Sequence, residues 1–167
     1  MIAELANPEV LRAELWIAGL IGGAATIEDL VRRTISNWLA LAALAAGVLC
    51  QCIQHGWRGV PAALAGTAVG FGIFLIFYLL GGMGGGDVKL MAGFGALLGA
   101  GRLLQAAFLT ALIGGLLAAA VLAVDGLRRW TKAEAARKDA AAVKKALFIP
   151  YAPAIASGVW LTLFAGR

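Results

Sequence analysis

Gly81-Gly82-Met83-Gly84-Gly85-Gly86-Asp87-Val88-Lys89 separates two long apolar runs, one covering 61–80 and the other running from Val88 to Val124. Lys89 and Arg102 are the only charges in the second run. A charge at the centre of a membrane helix costs at least ~2.5 kcal/mol, so an ionisable residue in such a setting marks a candidate functional site. The carboxylate of Asp87 therefore draws attention first. Gly84, Gly85 and Gly86 before it carry no side chain that would hinder a polypeptide approaching it. A second acid, Asp29, stands at the end of another apolar run.

Composition explains why those runs are read as membrane spans. Of 167 residues, 62% are hydrophobic and 14% charged, and the mean hydropathy is +0.89. Soluble domains are about 45–50% apolar and ~25% charged, so the chain reads as an all-α, polytopic integral membrane protein. Spans of ~20 residues leave room for at most about seven or eight crossings and for no separate soluble domain. A single membrane-embedded domain over 1–167 is expected.

The net charge of +5 does not call for a nucleic-acid partner, because in a membrane protein basic residues orient the chain. Cys50 and Cys52 are two residues apart on a helix, where they point in different directions. They have no second cysteine pair, which leaves no zinc or disulfide framework. No metal and no cofactor is expected. Glu4, Glu9 and Glu14 are acidic where a secretory signal carries its basic region.

Six apolar stretches can be marked, at 10–27, 37–54, 61–80, 88–101, 103–124 and 148–164. Arg12 and Glu14 weaken the first. The fourth is short for a hydrocarbon core of ~30 Å, so either Arg102 snorkels to the interface or the helix begins inside the glycine loop. With six spans and the amino terminus outside, ten of the fourteen basic residues fall on the cytoplasmic side, among them Arg32, Arg33 and Lys89. Arg12, Arg58, Arg102 and Arg167 fall outside. The positive-inside rule favours this orientation. Residues 125–147, rich in Ala, Lys and Arg, read as a cytoplasmic loop or solvated helix near anionic lipid.

On that topology Asp29 and Asp87 both lie at the cytoplasmic boundary. Two carboxylates within a few ångströms cannot both ionise comfortably, so one keeps a proton. The charged member can deprotonate water attacking an amide, and the protonated member can polarise the carbonyl and protonate the leaving amine. Plainer roles stand beside this one. Asp87 could cap a helix by accepting from the N–H of Lys89 or Leu90, and Asp29 could pair with Arg32 or Arg33 three and four residues on. Other chemistries have fewer parts: Ser36 and Ser157 are the only serines, and His55, at the outer end of the second span, is the only histidine. A Ser36–Lys89 dyad remains as a nucleophilic alternative.

At these residues the chain resembles the type IV prepilin peptidases, membrane aspartic proteases of the GxGD class. Gly84-Gly85-Gly86-Asp87-Val88-Lys89-Leu90 is similar to the family's GxGD and following basic residue. Asp29-Leu30-Val31-Arg32-Arg33-Thr34-Ile35-Ser36-Asn37 is similar to its first aspartate segment, which usually reads Ile-Pro-Asn at the end. Ile149-Pro150-Tyr151-Ala152-Pro153-Ala154-Ile155-Ala156 is similar to its closing segment. Ser36 stands where proline is usual, and is expected to loosen the turn into the second span.

The resemblance implies Asp29 and Asp87 as the catalytic pair, with Gly84, Gly85, Gly86, Lys89, Arg32, Arg33 and Asn37 as substrate-loop or supporting residues. It implies a prepilin substrate, cut on the cytoplasmic side of the bacterial inner membrane just before its hydrophobic segment. The chain lacks the amino-terminal methyltransferase region and paired CxxC motifs of bifunctional members, and so is similar to the peptidase-only branch of Flp or Tad pili. A cation near the pair, from Lys89 or Arg32–Arg33, would favour ionised carboxylates, or would hold lipid phosphate instead. A small proton-coupled transporter and a non-catalytic pilus or secretion assembly protein are the alternatives from other classes.

Overall fold

The computed structural model describes residues 8–131 and 151–165, and every regular element among them is helical. Helix α1 runs Pro8–Arg32, with proline at the opening position, where its missing N–H costs nothing. It stops at Arg33, which adopts a left-handed φ of 55° while its N–H donates to the Asp29 carbonyl. Helix α2 runs Asn37–His55 and is capped by Ser36, whose hydroxyl accepts from the Trp38 N–H at 3.2 Å. A single 3₁₀ turn, Gly56–Arg58, joins α2 to α3, Gly59–Leu79. Helix α4 spans Gly85–Thr131, and α5 spans Ala152–Ala165.

Helix α4 is two rods. At Gly99, φ 69° and ψ 168° break the helical path, a left-handed φ that glycine adopts without steric cost. Gly66 of α3 packs on Gly95 and Gly70 packs on Met91, so the arm before Gly99 runs opposite to α3. Gly70 also faces Leu103, and Ile73 and Phe74 share a cavity wall with Ala107 and Thr110. The arm after Gly99 therefore runs back alongside α3. The reversal explains why the fourth apolar stretch is short.

Close helix contact depends on absent side chains, as is usual for helices that pack in lipid. A Cβ on Gly66 would collide with the Gly95 carbonyl, and one on Gly158 with Thr110. The first arm of α4 forms the centre, with Leu90, Met91, Phe94 and Leu97 essentially inaccessible. An all-round apolar helix belongs in such a position. Many large apolar side chains face outward instead, including Leu20, Leu49, Phe108 and Leu116. Two stretches, Asn37–Leu79 and Gly85–Val124, are long and apolar enough to cross a membrane.

The end of the bundle far from the glycine loop carries a polar cluster that the sequence reading did not anticipate. Glu14 is only 1% exposed. The Arg102 guanidinium donates to both its carboxylate oxygens, at 2.8 and 3.2 Å, and Gln54 donates at 2.8 Å. Arg102 thus binds an internal carboxylate rather than snorkelling, and the acid that weakened the first span is neutralised. The expected loop 125–147 begins as helix, since α4 continues to Thr131; 132–150 lie outside the described residues.

Candidate functional site

Helix α1 ends, α2 begins, α4 begins and α5 begins at one end of the bundle, and the two aspartates both lie there. Asp29, in the last turn of α1, is 4% exposed and Asp87 is 7% exposed. The Ala152 N–H at the start of α5 donates to Asp29 Oδ2 at 3.2 Å. The Gly84 N–H donates to Asp87 Oδ2 at 3.1 Å, and the Asp87 N–H donates back to the Gly84 carbonyl at 3.1 Å. Asp87 therefore occupies the third helical position and satisfies the cap residue's N–H, one half of a capping box. The sequence alternative had it accepting from Lys89 or Leu90.

Capping accounts for one oxygen only. Asp87 Oδ1 is buried with no hydrogen-bond partner among the described residues. A buried polar atom without a partner is uncommon and asks for an explanation. The carboxylates of Asp29 and Asp87 also lie within electrostatic reach of each other, although they are 58 positions apart in the chain. Carboxylates so placed favour sharing a proton over carrying two charges.

The glycine motif divides between loop and helix. Gly84 precedes the helix, while Gly85 and Gly86 form its first two residues. The helix thus begins inside the motif, one of the two expected outcomes. A Cβ on Gly86 would come within 2.9 Å of the Ile35 Cβ. Gly86 is required by the α1–α2 turn packing against it, not only by access to the carboxylate.

The turn itself is tied, contrary to the expectation for Ser36. Its N–H donates to the Glu28 carboxylate at 2.8 Å, a bond proline could not make, and its hydroxyl caps α2. The supporting cations also sit differently from expectation. Lys89, two residues past Asp87 on the helix, faces away from it and donates to Asn37 Oδ1 at 2.9 Å. Arg32 is exposed in the last turn of α1, and the Arg33 backbone closes that helix on Asp29. A cavity of about 190 Å³ lies between α3, α4 and Tyr151, walled by Phe74, Phe77 and Met83, and neither aspartate lines it.

Among the described residues no cluster of three His, Cys, Asp or Glu could hold a metal ion. Three features escaped the sequence reading: the Ala152 N–H on Asp29, the Glu28–Ser36 bond and the Glu14–Arg102 pair. The first two are made by backbone N–H groups, which residue type does not reveal. The last had a signal, two opposite charges inside apolar stretches.

The fold and site define an apolar helical bundle that gathers two buried carboxylates at one end. The chain belongs to the type IV leader peptidase family, whose model matches residues 16–119. It is similar to the prepilin leader peptidase/N-methyltransferase of Bacillus subtilis (strain 168), 36% identical over 107 residues. That match covers 63% of this chain and 37% of the longer protein. No solved structure matches the chain. The family match includes both aspartates, the glycine motif, Asn37 and Lys89, and stops before α5, which supplies the N–H on Asp29.

Proposed function

We propose that this protein is a membrane aspartic endopeptidase that removes the leader of type IV prepilins of the Flp or Tad kind. One observation carries the reading: two buried carboxylates from distant parts of the chain are gathered at one end of the bundle, within electrostatic reach of each other. The ionised member takes a proton from water as the oxygen attacks the scissile carbonyl. The protonated member hydrogen-bonds to the carbonyl oxygen and then gives its proton to the leaving amine, while the other member keeps the proton taken from water, so the dyad again holds one. The unpartnered Asp87 Oδ1 supplies an oxygen free to hold that proton or receive one.

The membrane placement rests on the surface. Trp38 is exposed at the aspartate end and Trp57 at the other. Their separation of 19 positions corresponds to about 28 Å of helix, close to the hydrocarbon thickness of ~30 Å, where aromatic side chains gather at both interfaces. Six crossings follow if each arm of α4 spans separately. Arg32, Arg33 and Lys89 share the aspartate end, which the positive-inside rule assigns to the cytoplasm of a bacterial inner membrane. A proton-coupled transporter would hold its acids near the midplane between broken helices. These stand at one end.

The test expresses Asp29→Asn and Asp87→Asn with a prepilin and follows leader removal on a gel. Loss of processing by both, at matched expression, supports the reading. Normal processing by either would overturn it.

A further inference from the structure

A groove of about 400 Å³ runs along the outside of the bundle, lined by Leu44 of α2, Phe71 of α3 and Ala92 and Gly93 of α4. Asn37 and Lys89 stand at its mouth, at the same end as the aspartates. The Lys89 ammonium is exposed and its hydrogen bond goes to a neutral amide oxygen. No carboxylate partners it among the described residues. We propose that this groove binds an anionic phospholipid, one acyl chain lying along Ala92 and Gly93 and the headgroup phosphate resting on Lys89 and Asn37.

Three observations choose that occupant. The lining is apolar except at one end, so the ligand has an apolar stem and a polar head. The free charge at that end is positive, so the head is negative. The groove is open along the outside of the bundle, so on the membrane reading a lipid reaches it without any helix moving. Basic sites between membrane helices on the cytoplasmic side commonly take anionic headgroups. The Asn37 side chain accepts from Lys89 through its oxygen and carries two N–H donors for the phosphate. The inference rests on the membrane reading of the chain and not on proteolysis.

The experiment uses the full chain purified in an uncharged detergent, titrated with phosphatidylglycerol and separately with phosphatidylcholine. Native mass spectrometry reads the lipid retained, and thermal unfolding reads its effect. Retention of one phosphatidylglycerol in preference to phosphatidylcholine, with a raised unfolding temperature, is expected. Lys89→Gln should weaken phosphatidylglycerol binding about fivefold, the weight of one lysine at an anionic surface, while Lys89→Arg keeps it. Thr67→Phe, which fills the groove without touching the cation, should release both lipids. Equal retention of the two lipids, or an unchanged affinity in Lys89→Gln, would overturn the proposal. So would displacement of the lipid by a peptide carrying a prepilin hydrophobic segment, which would give the groove to substrate. A protein soluble without detergent would instead remove the membrane reading beneath it.

Discussion

The two ends of this bundle treat a buried carboxylate in opposite ways. At one end Glu14 is saturated: Arg102 holds both oxygens and Gln54 adds a third bond. At the other, Asp29 and Asp87 each receive one backbone N–H, Asp87 Oδ1 has no partner among the described residues, and the two acids lie within electrostatic reach of each other. Pairing a buried charge fully fixes it in place. Leaving two half-satisfied acids together costs stability and keeps their protons available. The first arrangement belongs to architecture and the second to chemistry.

Substitutions should therefore separate the ends. The largest expected effect is on activity: Asp29→Asn or Asp87→Asn should lower leader cleavage by at least about 100-fold, the lower range for a lost acid or base. Thermal unfolding of either variant should be no worse than that of the parent, since the amide oxygen can still accept the backbone N–H while the cost of holding two buried acids together is removed. Cleavage by the parent should follow a bell-shaped pH profile. Acid protonates both carboxylates and removes the base, while alkali strips the shared proton and removes the acid. An acid limb without a fall in kcat/KM would break the comparison.

Glu14→Ala should show the reverse pattern. It leaves Arg102 without its partner, and breaking a buried pair costs about 3 kcal/mol, read as denaturant or thermal unfolding in detergent. Cleavage per folded molecule should stay near the parent value. A joint Glu14→Leu, Arg102→Leu exchange should recover most of that loss, because apolar replacement of both partners is often neutral.

The smallest effect is expected at the turn. Ser36→Pro keeps the backbone, since Ser36 already has φ −67°, but removes a cap and the bond to Glu28. A net loss of about 1 kcal/mol should result, the cap and hydrogen bond outweighing the gain from a stiffer unfolded chain.

Much of this was legible in the residues. Apolar run lengths marked the helices, because membrane spans need little more than hydropathy and length. The glycine motif and the acid ending α1 pointed to the carboxylates. The break between the fourth and fifth stretches was legible at Arg102, but its exact place at Gly99 was not, since Gly95, Gly99 and Gly101 lie in a run of small residues and only φ distinguishes the one that turns. Helix α1 appeared doubtful because Glu14 was counted as a bare charge, and its partner lies 88 positions away. Lys89 reads in the sequence either as a cation near the carboxylates or as a holder of lipid phosphate, and two residues along a helix point its side chain away from Asp87.

The most direct measurement is single-turnover leader cleavage by Asp29→Asn, Asp87→Asn and the double variant, each purified folded into bilayers. Residues that act as one catalytic unit are strongly non-additive. The account predicts that each single variant is as slow as the double. Losses that multiply, or either single variant cleaving at the parent rate, would contradict it.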